Sequence, residues 1–114
     1  MTVSLRGGFE QQARCQLFRF TGQLDAYSDK QFGDFIASHR GGAQPLVIDL
    51  SAIDFIDSSG LGALVQLAKQ CNDAKQRFLV VGNARVVQTV KLVRLEEFLH
   101  LQPNLDAALA SLTP

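Results

Sequence analysis

The sequence has no excess charge of either sign and no long apolar run. Eleven basic and eleven acidic side chains give a formal net charge of zero over 114 residues. Proteins that bind nucleic acid usually carry a basic surface, so this balance argues against a nucleic-acid partner. No apolar stretch approaches the length of a transmembrane helix, and the first 12 residues are too polar for a signal peptide. The sequence therefore predicts a cytoplasmic protein with no nucleic-acid and no membrane partner.

Cysteine is scarce, and neither cysteine belongs to a metal-binding pattern. Cys15 falls in a predicted strand and Cys71 in a predicted helix. They form no CxxC pair and no histidine accompanies them, so no metal and no cofactor is predicted. The reducing environment of the cytoplasm disfavours a disulfide. We expect two reduced, largely buried thiols that pack as small apolar side chains.

Strands and helices alternate along the chain, which predicts an α/β fold. Short apolar runs mark buried strands, and apolar spacings of three and four residues mark helices. The predicted strands cover residues 3–9, 14–21, 46–50, 78–81 and 98–101, and the helices cover 32–39, 58–75, 86–93 and 105–112. The order β-β-α-β-α-β-α-β-α implies a single domain over residues 1–114. Its sheet is expected to be mostly parallel and four- to five-stranded, with an antiparallel first strand.

Three loops are expected to meet at one edge of this sheet. They are residues 22–25, 51–60 and 82–85, and each follows the carboxyl end of a predicted strand. In open α/β sheets the functional site usually lies outside those ends. The candidate functional surface consists of the polar side chains in these loops, which are Asp25, Asp54, Asp57, Ser58, Ser59, Asn83 and Arg85.

Ser58 and Ser59 stand at the start of the second predicted helix. A helix N-terminus has unpaired N–H groups and a dipole that favours negative charge, so a phosphoryl group can be held there with little strain. Serine and aspartate are also preferred helix caps, and capping alone is an alternative role for these residues. We expect Gly60 and Gly62 to permit either a close approach of the helix to the sheet or a tight entry into the helix.

Asp25 ends the turn after the second predicted strand, and two roles are open for it. It is either the cap of the first helix or a contact with a partner. Because a turn carboxylate affects docking more than packing, the change Asp25→Lys is expected to weaken partner binding and to leave the fold intact. The acidic residues of the loops, with no basic patch beside them, favour a protein partner.

Two enzymatic functions fit the residues poorly. A serine hydrolase would need a G-x-S-x-G turn followed by an acid and a histidine. The segment DSSGL lacks the leading glycine, and only His100 follows it. A phosphoaspartate receiver domain would need Mg²⁺ held by several carboxylates, but the first turn supplies Asp25 alone and no lysine ends the last strand. We therefore expect no enzymatic activity of the chain itself.

The segment DFIDSSGLGAL, which follows the strand PLVIDL, resembles the signature of STAS domains, in particular of bacterial anti-sigma factor antagonists. The segment FTGQLD looks like the family's glycine–x–leucine–aspartate turn after the second strand. The segment VVQTVKLVRLEEFLHL is similar to the third helix and the last strand of the family. The resemblance covers nearly the whole chain and implies a STAS-like fold.

The resemblance also implies a switch at Ser58, which is the first serine after the aspartate. An anti-sigma factor with serine kinase activity would bind the unphosphorylated protein and be released on phosphorylating Ser58, and a PP2C-type phosphatase would restore binding. A different role within the same family is a non-phosphorylated cytoplasmic subunit of an ABC-type lipid transporter. The implied partner surface comprises Asp25, Asp54, Asp57, Ser58, Ser59, Gly60, Leu61, Asn83 and Arg85.

Overall fold

Five strands form one sheet in the order β1-β2-β3-β4-β5, in a computed structural model that describes residues 5–112. The first pair is antiparallel and the other three pairs are parallel, as the sequence predicts. Residues 3 and 4 of the predicted first strand lie outside the described residues. The strands are β1 (Leu5–Gln11), β2 (Gln16–Leu24), β3 (Leu46–Ile56), β4 (Phe78–Gly82) and β5 (Leu101–Gln102).

Helices cover both faces of the sheet, and the predicted order of strands and helices is confirmed. The helices are α1 (Asp29–His39), α2 (Ser58–Asp73), α3 (Ala84–Leu92) and α4 (Leu105–Ala110). On one face the core includes Phe32 of α1, Leu64 of α2 and Val90 of α3. On the other face Ala108 of α4 packs in a cluster with Leu17 of β2. The apolar stripes of the sequence therefore mark the buried sides of the helices.

The last strand begins later than predicted. Residues 96–100 form a turn, and the predicted strand over residues 98–101 is wrong except at Leu101, where β5 begins. His100 has a φ of 51°, which is a left-handed conformation that a strand does not contain. The side chain of Phe98 is 41% exposed, so its apolar character does not mark a core position.

Both cysteines are buried and free, as expected. Burial raises the pKa of each thiol. The charge of Glu10 raises the pKa of Cys15 further, whereas the charge of Arg40 lowers that of Cys71. Since the thiol is favoured over the thiolate near neutral pH, both residues pack as small, unreactive apolar side chains.

Strands β2 and β3 both continue past their predicted ends. β2 reaches Leu24 and β3 reaches Ile56, so most of the loop predicted over residues 51–60 is strand. The pairing of the two strands shifts register once after Arg19 and again after Gly22. Such shifts are β-bulges, in which one strand gains a residue and bends. The longer β3 carries the chain directly to the start of α2.

Candidate functional site

Asp57 lies between β3 and α2 and caps the helix. Its carboxylate Oδ1 accepts a hydrogen bond from the backbone N–H of Gly60 at 3.0 Å. Its carbonyl accepts a bond from the N–H of Leu61 at 2.9 Å, and its own N–H donates to the carbonyl of Leu24 at 3.3 Å. Leu24 is the last residue of β2. Asp57 therefore joins the ends of β2 and β3 to the first turn of α2.

Ser58 and Ser59 are the first two residues of α2, and neither caps it. The alternative role of these serines as helix caps is wrong, because Asp57 provides the cap. Ser58 is exposed and Ser59 is partly exposed. Within residues 5–112 neither hydroxyl makes a hydrogen bond. The free Ser58 hydroxyl thus stands at the N-terminus of a 16-residue helix, where unpaired N–H groups favour negative charge.

Gly60 provides the close approach between α2 and the sheet, whereas Gly62 does not. A Cβ at Gly60 would overlap the carbonyl oxygen of Leu24. A Cβ at Gly62 would meet no atom within 4 Å, so the expectation of a close approach at that glycine is wrong. The side chain between them, Leu61, is buried in the core. Gly60 and Leu61 therefore hold the helix on the sheet beneath Ser58.

Asp25 is buried in the turn between β2 and α1, where only 8% of it is exposed. It does not cap α1, whose cap position is Ser28. Asp25 Oδ1 accepts a hydrogen bond from the N–H of Tyr27 at 3.0 Å and lies 3.2 Å from the Ser28 hydroxyl. This burial contradicts the expectation that Asp25→Lys leaves the fold intact, because the lysine would break these bonds and bury an unpaired charge.

Asn83 connects α3 to the extended end of β3. Its Oδ1 accepts a hydrogen bond from the N–H of Val86 at 2.9 Å and so caps α3. Its Nδ2 donates to the carbonyl oxygens of Ser51 at 3.1 Å and of Ile53 at 2.7 Å. The structure thus brings two of the predicted loops into direct contact.

The predicted site residues divide into an exposed group and a supporting group. Asp54 lies on β3 rather than in a loop and is exposed, as is Arg85 in the first turn of α3. With Ser58 and the partly exposed Asp57 and Ser59, they form the accessible surface. Gly60, Leu61 and Asn83 support this surface, and Asp25 holds the turn before α1.

Two exposed aromatic side chains are not indicated by any pattern in the sequence. Tyr27, in the turn before α1, is 93% exposed, and Phe55, near the end of β3, is 42% exposed. Strict alternation along β3 would put Phe55 on the same face as the buried Ile53. The second bulge falls between these residues and turns Phe55 outward. Exposed aromatic residues are enriched among the residues that dominate protein interfaces.

The histidines are not placed to act on Ser58. His100 Nδ1 lies 2.8 Å from the carbonyl oxygen of Phe78, the first residue of β4. Phe78 lies at the amino end of β4, whereas Ser58 follows the carboxyl end of β3, so His100 and Ser58 are at opposite ends of the parallel strands. His39 ends α1, and its ring packs against that of Phe35 at a tilt of 36°, with the centroids 4.4 Å apart. Within residues 5–112 no group of three or more His, Cys, Asp or Glu side chains could hold a metal ion.

Comparisons with known proteins agree with this fold. Residues 9–108 match the family model of the STAS domain. An anti-sigma factor antagonist from Mycobacterium paratuberculosis is 26% identical with a TM-score of 0.86, over 96% of this chain and 94% of that one. Unphosphorylated SpoIIAA is 16% identical with a TM-score of 0.73, over 96% of this chain and 100% of that one. The phosphorylated form of SpoIIAA, a Bacillus cell fate determinant, is 16% identical with a TM-score of 0.71, over 95% of this chain and 100% of that one.

A similar fold occurs inside a larger membrane protein. The murine anion transporter Slc26a9 matches with a TM-score of 0.76 at 19% identity, over 90% of this chain but 18% of the transporter. Among residues 5–112 of the present chain, none of the helices combines the length and the apolar character that crossing a bilayer requires. At this level of identity the likeness to the transporter is one of fold.

Proposed function

The chain belongs to the STAS domain family, and we propose that it is an anti-sigma factor antagonist switched by phosphorylation of Ser58. Unphosphorylated, it binds an anti-sigma factor with serine kinase activity in the cytoplasm and so controls sigma-factor-dependent transcription. Its similarity to the Mycobacterium paratuberculosis antagonist, at 26% identity, supports this role. The observation that carries the proposal is the exposed Ser58 hydroxyl at the N-terminus of α2.

The transfer joins Ser58 Oγ to the γ-phosphorus of ATP. The bond from that phosphorus to the β–γ bridging oxygen breaks, ADP leaves, and the hydroxyl proton passes to a base of the kinase. The present chain supplies the acceptor alone, which suits a site with no histidine beside it. SpoIIAA, which has a similar fold, exists in phosphorylated and unphosphorylated forms.

Phosphorylation is expected to change the fold very little. The phosphoryl group carries about −1.5 to −2 charges near neutral pH. The N-terminus of α2 stabilises that charge by roughly 0.3–1 kcal/mol. The neighbouring carboxylate of Asp57, which is partly exposed, opposes it by a comparable amount through water. Because the two contributions nearly cancel, the stability of the protein stays almost unchanged.

The bound partner, in contrast, responds strongly to the phosphoryl group. An interface that buries the neutral Ser58 hydroxyl would have to desolvate a dianion after the transfer, which costs several kcal/mol where no cation compensates it. Phosphorylation is thus a signal for dissociation and not for refolding. A PP2C-type phosphatase restores the hydroxyl and, with it, the binding of the anti-sigma factor.

The proposed partner surface surrounds Ser58. It includes the exposed or partly exposed side chains of Asp54, Asp57, Ser59 and Arg85. Phe55, which is 42% exposed on the same strand as Asp54, adds an apolar contact. A mixture of charges around an aromatic side chain is typical of protein interfaces, in which the rim is polar and the centre apolar.

A pull-down with matched baits tests this function. Ser58→Ala, which stays unphosphorylated, should capture the anti-sigma factor from the native cytoplasm. Ser58→Asp, which imitates the charged state, should capture much less of it, and Ser59→Ala, which keeps the Ser58 hydroxyl, should still capture it. Mass spectrometry should identify the captured protein as one with a serine kinase fold. Capture of a transporter ATPase, equally by both Ser58 variants, would replace the proposal with the transporter-subunit role.

A further inference from the structure

β3 extends beyond the end of β4, which is its neighbour on one side. The last residue of β3 that pairs with β4 is Leu50, opposite Gly82. Residues 51–56 continue β3, and no strand within the described part of the chain, residues 5–112, pairs with them on the β4 side. Backbone carbonyls that point to that side lack the partners that a sheet would provide, and unpaired carbonyls weaken a strand. This unsupported stretch leads through Asp57 to Ser58.

The side chain of Asn83 supplies the missing partners. Asn83 directly follows Gly82, the last residue of β4. Its Nδ2 donates to the carbonyl oxygens of Ser51 at 3.1 Å and of Ile53 at 2.7 Å. A side-chain amide has two N–H donors, and both are used here. Its Oδ1 is occupied by the N–H of Val86.

The two bonds lie where the support from β2 is irregular. β2 pairs with the other side of the β3 extension, and its register shifts once between Arg19 and Thr21 and once after Gly22, which pairs with Ile53. Ladder hydrogen bonds are disrupted at such bulges. The bonds from Asn83 therefore reach β3 in the stretch where its pairing with β2 is interrupted by bulges.

We propose that Asn83 is a positioning residue for Ser58: through Ser51 and Ile53 it holds the end of β3, and hence the first turn of α2, where a kinase can reach the hydroxyl. This inference rests on the proposed function of Ser58. Phosphoryl transfer depends on alignment of the attacking oxygen, and a displacement of about 1 Å can cost about 100-fold in rate. Both polar atoms of the Asn83 side chain already make hydrogen bonds within the protein.

Asn83→Asp and Asn83→Ser separate positioning from capping. Both residues are good helix caps and keep an acceptor for the N–H of Val86. The aspartate carboxylate has no donor, and the serine hydroxyl has a single donor on a shorter side chain, so neither replaces the two bonds to the carbonyls of β3. The matched control is Asn104, which caps α4 through Oδ1 and the N–H of Ala107 at 2.7 Å. No carbonyl within residues 5–112 receives a bond from the Nδ2 of Asn104. Asn104→Asp and Asn104→Ser should therefore change little.

Backbone hydrogen exchange is the first measurement, and it needs no kinase. In both Asn83 variants the amides of residues 51–58 should exchange about 10- to 100-fold faster than in the wild-type protein, because two hydrogen bonds are lost. The amides of α3 and β4 should stay as protected as before. Unchanged exchange over residues 51–58, or a uniform increase over the whole chain, would overturn the positioning role.

Phosphorylation kinetics are the second measurement, made with the anti-sigma factor captured by Ser58→Ala and with ATP. The Asn83 variants should lower kcat about tenfold and leave KM within about twofold, since alignment is lost while contacts with the kinase are kept. Faster exchange with wild-type kcat would overturn the role of Asn83 in the transfer and leave the function of Ser58 intact. If the wild-type protein is not phosphorylated, the proposed function fails, and the exchange result alone decides whether Asn83 holds β3.

Discussion

Gly60 of α2 lies so close to the carbonyl oxygen of Leu24, at the end of β2, that a Cβ at position 60 would overlap that oxygen. The same carbonyl accepts a hydrogen bond from the N–H of Asp57 at 3.3 Å. The start of α2 is thus packed onto the sheet, and Ser58, between these two contacts, has a defined position. The first glycine of the DSSGLG segment is explained by this contact.

Alanine at each of the two glycines in that segment should change the free energy of unfolding in opposite directions. Gly60→Ala should lower the free energy of unfolding by about 1–3 kcal/mol, because the added methyl group forces the helix away from β2. Gly62→Ala, where a Cβ meets nothing within 4 Å, should raise it by about 0.5–1 kcal/mol through better helix propensity. Urea unfolding measures both. Equal destabilisation by the two changes would show that the contact at Gly60 has no special role.

The capping bond of Asp57 predicts that substitutions at Asp57 affect stability more than a substitution at Asp54 does. Asp57→Ala should lower the free energy of unfolding by about 1 kcal/mol, because the N–H of Gly60 loses its acceptor. Asp57→Ser keeps a capping oxygen and should recover most of that loss. Asp54→Ala, at an exposed position of β3, should stay within about 0.5 kcal/mol of the wild-type protein. Thermal and urea unfolding measure these stabilities. Equal stability of Asp57→Ser and Asp57→Ala would contradict the capping role of Asp57.

Phe55 is expected to contribute to partner binding through its exposed ring. Phe55→Ala should weaken the affinity for the anti-sigma factor about tenfold or more, as truncation of an aromatic interface residue often does. Phe98, which is 41% exposed against 42% for Phe55, offers a matched control in the turn before β5. Phe98→Ala should leave the affinity unchanged. Calorimetry that finds the same loss for both variants would remove Phe55 from the interface.

Local patterns of the sequence were sufficient for much of the fold. The apolar runs at residues 46–50 and 78–81 lie in buried strands, and the start of α2 at Ser58 is as predicted. These features depend on neighbouring residues, because periodicity reflects the burial of one face. The cap of α4 at Asn104 is equally local, because its acceptor serves the N–H of Ala107, only three residues later.

The features that depend on pairing between distant segments could not be predicted. The extension of β3 past Leu50 follows from its pairing with β2 through two bulges, which no local pattern announces. Phe55 was missed for that reason. The bonds from Asn83 exist only because the extension passes beside it. For Asp25 the sequence allows either a cap of α1 or a partner contact, whereas the turn folds over its carboxylate through the bond from the N–H of Tyr27.

The most direct test of the whole account is to locate the phosphoryl group. The wild-type protein, Ser58→Ala and Ser59→Ala are each incubated with ATP and the captured anti-sigma factor, and their peptides are sequenced by mass spectrometry. The account predicts one phosphoryl group on Ser58 in the wild-type protein and in Ser59→Ala, and none in Ser58→Ala. A phosphoryl group on Ser59 with Ser58 unmodified, or no modification of the wild-type protein, would contradict it.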